Sequence, residues 1–405
     1  MKSIIYVGMD VHSTNYTLAS FMFGNEQPFA VTQVDPDYKH ILNYLKQVQK
    51  NYGGPCEFLC GYEAGCLGFT LYEQLKAHNV PCVILAPSKM PKVKNEIKTD
   101  KRDAMKIAKC LAYNDYSAVY VPTKEDHQVK EYIRMRDAHK TALKKVKQQI
   151  LAFCLRNGFQ FTAGKNYWTG KHMAWLRALQ MSDLMREALD EYLATYQASL
   201  DKIERFDKRI EELAADTRYA EKVRMLSCFI GIRTHTALSL IVETGDFRRF
   251  AKADQYASFL GLVPGEHSSA CDKNYLGITK AGNSHLRRLL IESAQCLARG
   301  RVGYKSKVLK AKQYGNPAQV IAYADKANER LRRRFYHLTL KLKKKRNIAV
   351  AAVARELSCF IWGMMTERIS ERVILMTSIF LCFREFCHEA ETWSRVLRNA
   401  DASGP

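Results

Sequence analysis

None of the twelve cysteines forms a Cys-x-x-Cys pair, so the spacing that most zinc and dithiol redox sites need is missing. Cys56, Cys60 and Cys66 gather instead around a predicted strand and turn, where small apolar thiols serve as core residues. No secretory signal is read at the start of the chain, and the thiols are therefore expected to be reduced, in a cytoplasm. Long apolar runs are also missing. The longest, residues 373–383, is too short for a bilayer, and no membrane role is expected. No low-complexity tract argues for disorder, and no serine–histidine–aspartate triad can be read. Negative charge is scarce: 41 acidic residues face 63 Lys and Arg, a formal net charge of +22. A surplus of that size attracts polyanions and releases their counterions on binding, which makes nucleic acid the expected partner.

What is present is enough for real cores. Apolar residues make up 47% of 405 positions, a length that suggests two or three compact units. The opening run SIIYVGMD reads as a strand ending at Asp10, followed by strand patterns in NYTLASFMF and FAVTQV. Ile41, Leu42, Tyr44, Leu45 and Val48 recur at helical spacing. A Gly-Gly-Pro break then precedes the strand CEFLCGY, which leads into Glu63. A helix over residues 69–78, the strand PCVILAP and a helix capped by Thr99 complete an α/β pattern with a mixed sheet over residues 1–124.

Residues 125–218 change texture. Lys140, Lys144, Lys145 and Lys147 stand beside Leu143, Val146, Ile150 and Phe153 on a basic helix. Leu189, Tyr196, Ile203 and Ile210 recur every seven residues, with Tyr192, Phe206 and Leu213 three further on and Ser199 interrupting. That pattern fits a coiled-coil seam or helical hairpin, and equally an amphipathic helix buried in its own domain. As a seam it is a candidate oligomer interface. Residues 219–345 form a mainly helical unit with a loop-rich insert, and 346–405 are read as C-terminal helices.

Four carboxylates stand out. Asp10 and Glu63 end strands, and Asp100 and Asp103 lie three apart at a helix start, hence on one face. Strand ends and that helix face can converge. Four such groups brought together repel unless hard cations neutralise them, which points to Mg²⁺ or Mn²⁺. Two ions about 3.5–4 Å apart would clamp the attacking and leaving oxygens of a phosphodiester. Lys101 and Arg102 are candidates to hold phosphate nearby. His12 is read as a strand or loop residue outside the quartet. Taken one at a time, each of these acids is more simply a turn residue or a partner of the helix dipole.

GMDVH, YEAG and TDKRDA, in this order, resemble the signature of the DEDD transposases of the insertion-sequence 110 family. The resemblance implies a RuvC-like domain of RNase H fold, with Asp10, Glu63, Asp100 and Asp103 as metal ligands. Further on, GLVP, EHSSACD and TKAGNSHLRR are similar to the family's transposase domain. There the resemblance implies a serine that attacks DNA and becomes phosphoserine; counting from Pro264 it is Ser269, with Ser268 as the alternative. Metals bound by the carboxylates, from the same or another protomer, are expected to assist it, and His267 is read as a bystander. Lys280, Asn283, Arg287 and Arg288 follow a Gly-Asn turn into a helix, where they are candidates for holding phosphate or simply for a solvated helix start. CFIGIRTHTA resembles the family's phosphate-binding turn but carries Phe229-Ile230 and Arg233 where the family has Ile-Pro and glycine; Arg233 itself is a candidate phosphate contact.

The resemblance implies transposition of an insertion sequence through a four-way junction, with donor and target DNA as substrates and a structured bridge RNA as guide. A homo-oligomer, dimer or tetramer, is expected because strand exchange handles two duplexes. A site-specific DNA invertase, a metal-dependent junction nuclease and a non-catalytic nucleic-acid-binding descendant are the alternatives. The resemblance runs through about Met365, and no counterpart is recognised for the final segment.

Overall fold

The structure is a computed structural model that describes residues 3–65, 67–87, 90, 99–269 and 272–369, without the side chains of 267–269 and 272–275. Cys66 and the apolar run at 373–383 lie outside the described residues. The chain divides into two compact units, Met1–Pro122 and Thr123–Pro405.

The first unit is built on a five-stranded sheet of order β3-β2-β1-β4-β5. β1 (Ser3–Val11), β2 (Tyr16–Met22) and β3 (Phe29–Val34) form an antiparallel meander. After α1 (Tyr38–Tyr52), β4 (Cys56–Glu63) pairs parallel to β1; after α2 (Thr70–Ala77), β5 (Cys82–Leu85) pairs parallel to β4. α3 (Asp100–Ala112) closes the unit. Local chemistry sets these bounds. The Asp37 carboxylate accepts from the Lys39 amide to start α1, and Gly53 at φ 71° ends it. Thr99 caps α3 by accepting from the Arg102 amide. This mixed sheet is the architecture expected of an RNase H-like domain.

Strand alternation gives the sheet two different faces. Ile5, Val7 and Met9 of β1, with Cys60 and Tyr62 of β4, join the buried side chains of α1 and α2 on one face. The other face carries Tyr6, Leu59, Val83 and Leu85 against Ile107, Cys110 and Leu111 of α3. Here α3 lies directly on the strand. A Cβ added at Gly8 would sit 2.1 Å from the Ala104 carbonyl oxygen and 2.3 Å from the Ala108 amide nitrogen. Backbone cannot yield as a side chain can, so Gly8→Val must lift α3 off β1. The expected cost is on the order of 3 kcal/mol, read as a lower denaturation midpoint; a variant as stable as wild type would show that the helix is not seated there.

The second unit is mainly helical. α4 (Lys124–Arg156), α5 (Gly170–Ala178) and α6 (Asp183–Ala214) are followed by α7 (Ala220–Leu226), α8 (Thr234–Thr244) and α9 (Ala253–Phe259). A two-stranded hairpin, β6 (Pro264–Ser269) and β7 (Asp272–Ile278), precedes α10 (Ser284–Leu297), α11 (Lys307–Gln313), α12 (Ala318–Tyr336) and α13 (Arg346–Met365). The sevenfold repeat of α6 is spent within the chain. Leu189 and Tyr196 are buried with Leu143, Ile150 and Phe153 of α4, and Ile210 joins Val129 and Ile133 in the main core. Ser199, which breaks the repeat, turns its hydroxyl onto the Thr195 carbonyl at 2.7 Å. The repeat therefore marks the face of α6 that packs within its own unit, in part against α4.

The main core of this unit gathers α7, α8, α10, α12 and α13. α13 alone among the described residues is long and apolar enough to cross a membrane, and 72% of that stretch is buried here. Its Trp362 indole donates to the Phe247 and Phe250 carbonyls at 3.2 and 3.1 Å, tying the helix to the segment before α9.

Candidate active site

Asp10 and Glu63 are brought together by strand register. Met9 pairs with Tyr62 in the parallel β1–β4 ladder, so the next residues, Asp10 and Glu63, lie side by side at the C-terminal ends of adjacent strands. Both belong to the sheet face that α3 covers, because Met9 and Tyr62 point into the opposite core. The seating of α3 on Gly8 then carries its first turn, with Asp100 and Asp103, to the same end of that face. Burial pushes the Asp10 carboxyl above the usual range; His12 opposes the shift, and the like charges of Asp100 and Asp103 add to it. Asp10 of β1 thus feels both acids of the first turn of α3. Glu63 is exposed at the strand end beside them and is not within the tightest cluster.

That cluster contains His12, read from the sequence as a strand or loop residue outside the quartet. His12 Nε2 lies 3.3 Å from Asp10 Oδ2 and 4.0 Å from Asp100 Oδ1. One potential ligand atom each from Asp10, His12 and Asp100 falls within 4.8 Å of the others. The backbone explains it: the chain turns after Val11, with the His12 amide donating to the Asn15 carbonyl at 3.0 Å. The signal was available, since a residue two beyond Asp10 shares its face of an extended chain. Aspartates with an imidazole at partial exposure form a donor set that suits a divalent cation, and the mutual repulsion felt by Asp10 is what such a cation relieves. Lys101 and Arg102 are exposed on the same helix turn.

In the second unit, Ser268 and Ser269 end β6, opposite Lys273 and Asp272 of β7; their side chains and that of His267 lie outside the described residues. The residues before and in α10 are placed in detail. Lys280 is exposed with φ 56°, and its amide donates to the Gly261 carbonyl at 3.1 Å. Asn283 caps α10, its Oδ1 accepting from the Leu286 amide at 3.0 Å while Nδ2 donates to Glu243 at 2.9 Å. Arg287 holds the Leu260 carbonyl at 2.9 Å. Arg288 pairs with Glu292 at 3.1 Å and with the buried Asp137. Three of the four motif residues after Thr279 therefore have structural partners within the unit. An open cavity of about 520 Å³ is lined by Arg134, Phe259, Gly282, Asn283, Ser284 and His285.

Sequence reading missed the acids behind this motif. Glu243 is buried and meets Arg134 at 2.6 and 3.0 Å. Burial alone would raise its carboxyl, but hydrogen bonds from Arg134 and Asn283 and the charges of Lys130 and Arg134 lower it. At the resembling turn, Gly231 adopts φ 88°, where a Cβ would meet the Ser293 carbonyl oxygen at 2.4 Å. The Ile230 amide there donates to Asn328 at 2.9 Å, and Arg233 is exposed at the start of α8.

Comparison with known proteins agrees with both halves. Residues 7–159 match the DEDD transposase model of the IS110 type, and residues 223–309 match the transposase IS116/IS110/IS902 family. The transposase for insertion sequence element IS1533 of Leptospira borgpetersenii is 32% identical over 356 residues, covering 85% of this chain and 99% of that protein. The putative transposase y4qE of Sinorhizobium fredii is 31% identical over 366 residues, covering 89% and 88%. The transposase for insertion sequence element IS1111A of Coxiella burnetii is 27% identical over 230 residues, or 56% and 62%. With both family models matched and similarity along most of its length, the chain belongs to the IS110 family of insertion-sequence transposases.

Proposed function

We propose that this transposase cleaves and exchanges DNA strands with two sets of residues: Asp10, Glu63, Asp100 and Asp103 as holders of divalent cations, and Ser269 as the nucleophile. The observation that carries the reading is the meeting of Asp10 with Asp100 and Asp103, beside Glu63 on one end of one sheet face. Mg²⁺ or Mn²⁺ bound there would supply charge neutralisation at a phosphodiester and lower the barrier to displacement at phosphorus. The protein's own part is positional. β1 and β4 fix two carboxylates by register, the Thr99 cap fixes the first turn of α3, and Lys101 and Arg102 offer cations to backbone phosphates.

In the second unit, the Ser269 hydroxyl loses its proton and its oxygen attacks phosphorus. An Oγ–P bond forms, a P–O bond to one sugar breaks, and that sugar keeps a free hydroxyl after protonation. Attack by the hydroxyl of another strand reverses the step and frees the serine, so bond energy is conserved without a further reactant. Donor and target DNA are the substrates, and a structured bridge RNA is the guide, a role the +22 charge suits. The protein acts as an oligomer in the compartment that holds the DNA, the cytoplasm.

The test combines full-length protein, noncoding RNA from the flank of the element, paired donor and target duplexes and Mg²⁺. Recombinant junctions and a protein–DNA adduct are the expected products. Ser269→Ala is expected to remove the adduct while leaving DNA binding intact. An adduct that survives moves the nucleophile elsewhere, to Ser268 first, and recombination without RNA overturns the guide.

A further inference from the structure

We infer that His12 is a direct metal ligand, giving the carboxylate site a nitrogen donor and a preference for Mn²⁺-like ions over Mg²⁺. The inference rests on the proposed carboxylate site and names a fifth residue in it. Its ground is where the imidazole nitrogen lies. A histidine that only orients a carboxylate sits behind it, away from the ion. Here Nε2 lies close to oxygens of two carboxylates from different elements, 3.3 Å from Asp10 and 4.0 Å from Asp100.

The spans fit one ion. Donors bound at about 2.1–2.3 Å around a single cation lie no more than roughly 4.5 Å apart. The three donor atoms of Asp10, His12 and Asp100 fall within 4.8 Å of one another before any ion draws them in. The His12 ring is about half exposed, as is Asp100, so an ion can reach it from solvent. The turn closed by the His12 amide on the Asn15 carbonyl at 3.0 Å places the ring without help from the metal.

The consequence is selectivity. Mg²⁺ prefers oxygen donors and keeps its waters, whereas imidazole favours the later divalent ions of the first transition row, with Mn²⁺ the member that also accepts carboxylates readily. An all-carboxylate site would hold the two ions on similar terms; a site with His12 would not.

Pulsed electron paramagnetic resonance of Mn²⁺ on the full-length wild-type protein reads this directly. Coupling between the bound ion and an imidazole ¹⁴N is expected, with loss of that coupling in His12→Ala. In competition titrations, His12→Ala is expected to lose about tenfold of the preference for Mn²⁺ over Mg²⁺. Mn²⁺ bound by the wild type without nitrogen coupling overturns the assignment of His12 and leaves the carboxylate site standing. Coupling that persists in His12→Ala likewise overturns it. Failure of the wild type to bind Mn²⁺ overturns the carboxylate site itself, and this inference with it.

Discussion

Asp10→Asn is expected to lower DNA strand cleavage by on the order of 10³-fold, about 4 kcal/mol of transition-state stabilisation, while the protein stays folded. Asn keeps the shape of Asp and removes one charge. Asp10 is the hub of the site: its side chain is 16% exposed, whereas those of His12 and Asp100 are about half exposed. Burial and the like charges of Asp100 and Asp103 already strain its ionised form. Losing that charge relieves repulsion in the ion-free protein, so the thermal midpoint should hold or rise even as cleavage disappears. Activity and stability moving in opposite directions mark a functional group and separate this outcome from a folding defect. Cleavage of a labelled duplex and a thermal melt on the same preparation suffice. Cleavage within a few fold of wild type would remove the carboxylate site from the chemistry.

How far such a site can be read from a sequence depends on what positions each group. The strand ends that carry Asp10 and Glu63 and the helix start that carries Asp100 and Asp103 were legible because alternation and a capped helix start are local signals. Every strand and helix named in the first 112 residues appears in the structure, since alternation and helical spacing act over short range. The nearness of His12 to Asp10 and Asp100 was not read from the sequence; it depends on a turn closed at Asn15, which no periodicity reports. The pressure of α3 on Gly8 was equally silent, because it is a contact across nearly a hundred residues.

The second unit was less legible for the same reason. Asn283, Arg287 and Arg288 left phosphate contact and a solvated helix start equally open, because both leave basic and amide groups at a helix start facing outward. Their partners, Glu243, the Leu260 carbonyl and Asp137, lie on other elements or far away in the chain, and burial of an acid cannot be seen in composition. The repeat in α6 left hairpin and amphipathic helix open for the same cause: the pattern states that a face is covered, and the cover, α4, is named only by the fold.

Asp137 is the acid on which this hidden network converges, and Asp137→Ala is expected to destabilise the protein by about 3–5 kcal/mol. The residue lies on α4 and is buried; it accepts from Arg136 at 3.0 Å and meets His235 at 3.0 Å, His285 at 3.7 Å and the Arg288 guanidinium. One carboxylate thereby joins α4 to the starts of α8 and α10. Truncation leaves its cationic partners in a site with little water, and breaking a buried pair from one side costs far more than the pair itself contributes. Arg136 retains Asp207 at 2.7 and 3.0 Å, so the main loss falls on α8 and α10, the helices that frame the motif. The pH dependence has a definite sign. Burial would raise the Asp137 carboxyl, but the His235 hydrogen bond and charge, with Arg136 and Arg288, hold it far below the usual range. A carboxyl lowered on folding stabilises fully above its unfolded value, about 4, and that stabilisation fades as pH falls through the folded value. Wild type should therefore lose stability on acidification below about pH 4 more steeply than Asp137→Ala. Urea midpoints for both proteins, taken at neutral pH and near pH 3, measure the gap. A gap that stays below 1 kcal/mol at neutral pH, or widens in acid, would mean that Asp137 does not hold these helices together.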